Sequence, residues 1–151
     1  MIVMHRPTWV EIDLSALRHN LLAIKKTAGP GVKIMGIVKA DAYGHGDYEV
    51  CKVLLNHGVE ILGGLVEDQI DTVIQYNVIP AVYDLKLAGV LSKRAHELHK
   101  TIPVHVYVDT GMGSIGVRYD KAVEFVKSLR DIKNIFIDGI YTHCSSSDEK
   151  E

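Results

Sequence analysis

The chain has 151 residues, of which 47% are hydrophobic and 24% charged, a balance typical of a folded domain and not of a disordered segment. Its 17 basic and 19 acidic residues are spread along the sequence, so we expect no nucleic-acid partner. Nothing approaches the ~20 apolar residues that span a bilayer, and residues 1–7 lack the apolar run of a signal peptide. With two cysteines and no Cys-x-x-Cys pair, we predict a cytoplasmic protein with no membrane partner.

Short apolar segments alternate with longer amphipathic ones, which is typical of a parallel α/β sheet or barrel. We predict strands at 8–12, 33–38, 59–62, 79–83, 103–108 and 135–141, and helices at about 13–26, 48–56, 66–75, 85–99 and 120–129. Trp9 and Tyr83 are predicted to be core residues. A closed barrel of this kind needs ~250 residues. The predicted fold class is therefore α/β, an incomplete TIM-type (β/α) barrel of about five parallel strands with flanking helices.

The residues best suited to catalysis or ligand binding lie at 38–46, directly after the strand predicted at 33–38. Lys39 follows the carboxyl end of that strand, where parallel α/β folds place active sites, and the apolar surroundings are expected to desolvate its ammonium and lower its pKa. Schiff-base chemistry requires such a neutral amine. Glycines on both sides of His45 would let backbone N–H groups approach an anion, with the Tyr43 hydroxyl on the same loop. The alternative is a solvated lysine before a Gly-rich turn.

Three other patterns have structural explanations. His105 lies in an apolar strand and is predicted to be a core or strand-face residue and not a ligand. Residues 109–113, Asp-Thr-Gly-Met-Gly, are interpreted as a turn between a strand and a helix, with an anion-binding nest as the alternative. No metal site is predicted, because His96 and His99 have no apparent third ligand.

Residues 38–46, Val-Lys-Ala-Asp-Ala-Tyr-Gly-His-Gly, strongly resemble the lysine signature of alanine racemases, which use pyridoxal 5′-phosphate (PLP). The resemblance continues at 6–14, 79–84, 108–113 and 139–143. It implies a PLP-binding barrel followed by a β-rich domain, paired head to tail in a homodimer. Residues 1–13 would then be a strand that joins the second domain, residues 14–151 would be a partial barrel, and the C-terminal domain is expected to be absent.

The resemblance also implies roles for three residues. Lys39 would hold PLP as a Schiff base and act as one of two bases that exchange the α-proton of alanine. Tyr43 would contact the cofactor phosphate, and His143 would belong to the hydrogen-bond network of the active site. The expected function is interconversion of L-alanine and D-alanine, which supplies D-alanine for peptidoglycan, by a fragment that is not active alone.

Three departures from the family pattern bear on this expectation. Residues 59–64 stand in the place of the end of one barrel strand of the family and also of the end of the next. About one βα unit of the family pattern is therefore missing, and the neighbouring strands are expected to lack a pairing partner. Ser114 and Tyr107 stand where the family usually has Arg and Lys, and a serine cannot reproduce the bidentate bonds of an arginine. The chain also stops before the remaining barrel strands and the second domain.

Two alternatives therefore stay open. One is a non-catalytic remnant that binds PLP or pairs with another subunit. The other is a PLP enzyme of related chemistry, either a racemase with broader amino-acid specificity or a decarboxylase. In each case the isolated chain is expected to associate through its unpaired edge strands.

Overall fold

The computed structural model describes residues 8–149. Residues 1–7, which were predicted not to form a signal peptide, lie outside the described residues. The chain forms two compact units, one ending at Ile61 and the other beginning at Leu62. The helices are α1 (Leu14–Ala28), α2 (Lys39–Gly44), α3 (Asp47–Asn56), α4 (Ile70–Gln75), α5 (Leu85–Glu97) and α6 (Ala122–Arg130). The strands are β1 (Met35–Ile37), β2 (Glu60–Gly64), β3 (Ile79–Val82), β4 (Ile102–Asp109), β5 (Val117–Arg118) and β6 (Ile135–Thr142).

In the first unit, α1 packs beside α3. The carboxylate of Asp13 caps α1 by accepting from the amides of Ser15, at 2.7 Å, and Ala16, at 3.1 Å. Arg18 Nε of α1 donates to Nε2 of His57, just after α3, at 3.1 Å, and the Lys25 ammonium donates to the carbonyl of the same histidine. His57 therefore ties the end of α3 to α1.

The second unit is built on a parallel sheet. Strand β3 lies between β2 and β4, and both β5 and β6 pair with β4. Helix α5 buries Ala88, Leu91 and Ala95 completely, because positions three or four residues apart share one face of a helix. These side chains pack with inward-facing residues of the strands, among them Val104 and Val106. This core fixes β4 and β6, and the predicted site residue His143 directly follows β6.

The structure confirms the α/β class and the five predicted strands from residue 33 onward, and adds the two-residue strand β5. The strand predicted at 8–12 is wrong, since residues 8–13 lie in no strand and Trp9 is 61% exposed. A strand needs a ladder of hydrogen bonds with a neighbour, and none forms at these residues. The predicted loss of partners around 59–64 is also wrong. The Glu60 amide donates to the Ile34 carbonyl at 3.0 Å in the first unit, and Leu62 pairs with Ile79 in the second.

Candidate functional site

The segment assigned to α2, at the carboxyl end of β1, is a left-handed turn and not a regular α-helix. Ala40, Asp41, Ala42 and Tyr43 have φ angles of 52°, 57°, 51° and 58°. The left-handed region costs an L-residue roughly 1–2 kcal/mol, so four in succession are rare. Such strain persists only where surrounding contacts impose it, and it concentrates at functional sites.

Hydrogen bonds within the segment hold the turn. The Ala42 amide donates to the Val38 carbonyl at 2.9 Å, and the Gly46 amide donates to the Asp41 carbonyl at 3.0 Å. The Asp41 carboxylate accepts from the Asp47 amide at 2.9 Å, and the Ala42 side chain is buried. The segment predicted to be a loop is therefore a hydrogen-bonded turn. The Gly46 amide is already paired and is not available to an anion.

Lys39 and Tyr43 project from this turn into solvent. Lys39 is exposed and its Nζ lies 6.0 Å from the centroid of the Tyr43 ring, which is itself 59% exposed. The apolar surroundings predicted for Lys39 are not formed by the described residues, since its side chain is exposed. The amine is instead accessible to an incoming group, with a phenol on the same turn.

A cavity of about 530 Å³ lies within the first unit, beside the turn. Its wall includes Ala42 and His45 of the turn, Gly36 of β1 and the polar side chains of Asp13 and Asn20. The His45 ring is held by its Nδ1, which lies 2.9 Å from the Ala42 carbonyl. The turn thus has one face toward a cavity, while its lysine and tyrosine face solvent.

In the second unit, Asp109 organises the loop after β4. Its Oδ1 accepts from the amides of Gly111 and Gly113, both at 3.0 Å. These backbone hydrogen bonds hold the pKa of the Asp109 carboxyl below its usual value. The nest is filled by the loop's own carboxylate, which supports the turn interpretation of residues 109–113 over an anion site.

The remaining predicted residues lie near the ends of β4 and β6. His143 follows β6 directly and is exposed, as is Ser114 in the loop after β4. The hydroxyl of Thr142, the last residue of β6, lies 2.7 Å from that of Thr110. This hydrogen bond fixes the end of β6 against the loop that follows β4.

Sequence reasoning missed a polar and aromatic cluster on β4 and β6, in which His105 and Tyr107 are buried. The rings of Tyr107 and Tyr141 stack with centroids 4.7 Å apart, and His105 Nε2 lies 3.4 Å from Asp138 Oδ2. Burial, and then the neighbouring phenols of Tyr107 and Tyr83, raise the pKa of Tyr141 to about 12. His105 is 8% exposed, which confirms its prediction as a core or strand-face residue. The alternation along each strand was the available signal, but it did not reveal which side chains pair across strands.

The model of the family "Alanine racemase, N-terminal domain" matches residues 12–63 and 59–151. The chain belongs to this family. The two matches overlap at 59–63, which agrees with the predicted joining of two strand ends at that segment. Known alanine racemases give the same result at the level of single sequences and structures.

The alanine racemase of Halothermothrix orenii is 39% identical and aligns with 97% of this chain and 45% of its own length. That of Methanococcus maripaludis is 33% identical, with 96% and 45% covered. The structure of alanine racemase from Clostridium difficile 630 superposes with a TM-score of 0.74 at 32% identity, over 97% of this chain and 47% of that one. The chain thus spans about half the length of the alanine racemases it matches.

The alignment with a relative is longer than this chain. The match with the Halothermothrix protein extends over 169 positions, more than the 151 residues of this chain. The alignment therefore contains gaps in this chain. Within residues 8–149, no helix is long and apolar enough to cross a membrane.

Proposed function

We propose that this chain carries the cofactor-lysine part of a PLP-dependent alanine racemase. The observation that carries the proposal is the exposed Lys39 amine at the end of β1, held by a strained left-handed turn that also presents Tyr43. This turn coincides with the segment that resembles the racemase lysine signature. Strain of this kind is retained where geometry matters more than stability.

The residues present fit PLP by their chemistry. An aldehyde needs a primary amine that solvent can reach, and the Lys39 side chain meets this condition. A phosphate accepts hydrogen bonds, and the exposed Tyr43 hydroxyl is a donor on the same turn. Lys39 would hold the cofactor and Tyr43 would orient its phosphate.

PLP, when bound, supplies an electron sink that stabilises the electron pair left on the substrate α-carbon after its proton departs. Lys39 Nζ takes or returns that proton on one face of the α-carbon. A second base on the opposite face is required for racemisation. By the family resemblance it is a tyrosine of the partner subunit's C-terminal domain in a homodimer.

The proposed substrate is alanine, and the proposed role is to supply D-alanine for peptidoglycan in the cytoplasm. His143 is proposed as a member of the active-site hydrogen-bond network. Two structures of related racemases are described with a small molecule, one as a complex with cycloserine and one with bound L-Ala-P. They support a small-molecule substrate.

The test is reductive trapping followed by peptide mapping. The chain is mixed with PLP, reduced with borohydride, digested and analysed by mass spectrometry, beside Lys39→Ala and Lys52→Ala variants. Lys52 is a matched control in the same unit, an exposed lysine with Nζ 4.9 Å from the centroid of the Tyr48 ring. We expect an adduct on Lys39 that survives the Lys52 change. Equal labelling of both lysines, or none on Lys39, contradicts the proposal.

A second candidate is a module that binds PLP without turnover. Ser114 and Tyr107 favour it, since they replace the Arg and Lys usual at these positions, and Tyr107 is buried in a ring stack. Exchange of the alanine α-proton for deuterium needs only one base, so NMR of alanine with the PLP-loaded chain in deuterium oxide separates the two. Exchange that is absent in wild type but appears after Ser114→Arg identifies the module and the residue that limits it.

A further inference from the structure

The pairing of β6 with β4 contains a one-residue irregularity. Ile137 pairs with Val104, and the next paired residue on β4, His105, lies opposite Gly139. Asp138 is thus an extra residue on β6, which defines a β-bulge. From Gly139 to Thr142 the parallel pairing is regular again.

The bulge changes which face of the sheet each later residue occupies. Successive strand residues point to opposite faces, so Ile137 and Tyr141 would share a face in a regular strand. Here Ile137 packs on the helix-covered core, whereas Tyr141 lies opposite Tyr107 and stacks on it. Tyr107 alternates with the core residue Val106 and therefore faces away from the helices. The extra residue has moved Tyr141 to that face.

Two features hold the bulge. The imidazole of His105 lies 3.4 Å from the Asp138 carboxylate. The same ring lies directly over Gly139, where a Cβ would be 2.9 Å from its Nε2. Any larger residue at 139 would displace the ring, and His105 has little room to move because it is 8% exposed.

We propose that Asp138, His105 and Gly139 form a register lock that gives Tyr141 and His143 their face of the sheet. His143 directly follows β6, two residues after Tyr141, so an extended backbone there would place it on the face of Tyr141. Without the extra residue the same extension would place it on the helix-covered face, opposite Thr110. Bulges commonly re-aim a side chain next to an active site. The members of the lock are positioning residues for His143, and this role rests on the proposed function.

The first test disrupts the lock. In His105→Ala we expect weaker NOEs between the Tyr107 and Tyr141 rings, new NOEs between His143 and the Thr110 methyl, and a Tyr141 phenol that titrates at lower pH. Gly139→Ala should act in the same way and should add nothing in the His105→Ala background. Unchanged ring NOEs in both single variants overturn the lock.

The second test uses rescue by deletion. Removing Asp138 turns β6 into a regular strand that keeps Tyr141 opposite Tyr107 without a bulge. Deletion of Asp138 in His105→Ala should therefore restore the ring NOEs, which a purely packing role of His105 would not allow. Failure of rescue, when the deletion alone retains the NOEs, contradicts the lock.

Borohydride trapping at Lys39 tests the proposed PLP function separately from the register lock. The ring NOEs report on β4 and β6 in the second unit, while the borohydride adduct reports on Lys39 in the first. Intact NOE responses without an adduct contradict the PLP function and leave the register lock standing. An adduct with unresponsive NOEs contradicts only the lock.

Discussion

The ring of Tyr141 stacks on that of Tyr107 at an interplanar angle of 11°, with both residues opposite each other on neighbouring parallel strands. Tyr107 is 6% exposed, and Tyr141 is half-buried. Stacked aromatic pairs add to the free energy of burial, by about 0.5–1.5 kcal/mol. The pair joins β4 to β6 near the end where His143 emerges.

The Tyr141 phenol predicts a pH dependence of stability. Its pKa is raised to about 12 in the folded chain, first by burial, and is about 10 when unfolded. The neutral phenol is therefore the stabilised form. Its contribution is complete below about pH 10 and is lost as pH rises through about 12. We expect the free energy of unfolding, measured in urea, to fall over this range.

The matched variants for that measurement are Tyr141→Phe and Tyr119→Phe. Phenylalanine cannot ionise, so Tyr141→Phe should flatten the decline between pH 10 and 12. Tyr119 is 67% exposed, and its replacement should leave the decline intact. An identical pH profile in the Tyr141 variant and wild type would show that burial of this phenol is not linked to folding.

The left-handed turn predicts an unusual response to glycine. Ala40→Gly should be neutral or should stabilise the chain by up to about 1 kcal/mol, because glycine adopts positive φ without strain while losing more entropy on folding. Ala23→Gly, at an exposed interior position of α1, should cost about 1 kcal/mol. Thermal unfolding of both variants measures the contrast. Equal destabilisation would argue against a left-handed Ala40.

Asp109 predicts local protection of the loop after β4. Asp109→Ala should speed hydrogen exchange of the Gly111 and Gly113 amides, since both donate to its carboxylate. Asp109→Asn retains an acceptor oxygen and should preserve most of the protection. Because the pKa of Asp109 is lowered in the folded chain, its contribution is present above the unfolded pKa and is lost as pH falls through the folded value. Exchange rates unaffected by Asp109→Ala would refute this role.

The burial of Leu91 predicts that the core of the second unit contributes strongly to the free energy of unfolding. Its side chain is fully buried in the core of the second unit, so Leu91→Ala should cost roughly 2–5 kcal/mol through lost burial and a cavity. Val123→Ala, at a position that is 69% exposed on α6, should change stability by no more than about 0.5 kcal/mol. Denaturant unfolding compares the two. A similar cost for both would place the core elsewhere.

The sequence predicted elements whose signals are local. The strand before Lys39 and the helix at about 85–99 were predicted from side-chain period alone, and the structure has a strand and a helix there. The strand predicted at 8–12 also had the correct period, but a strand forms only beside a partner. The side-chain period therefore identified candidate strands, and hydrogen bonding to a neighbouring strand decided which of them formed.

The sequence by itself determined the α/β class, the position of Lys39 at a strand end and the joined segment at 59–64, because composition, period and motif all reside in the linear chain. Only the tertiary structure decided that the amides of Gly46, Asp47, Gly111 and Gly113 are already paired, and that Asp138 is an extra residue on β6. The amide hydrogen bonds join residues within a few positions of each other, but they form only in a backbone conformation that residue type alone does not specify. Strand register depends on which residues of β4 and β6 meet in space, so no run of residues encodes it.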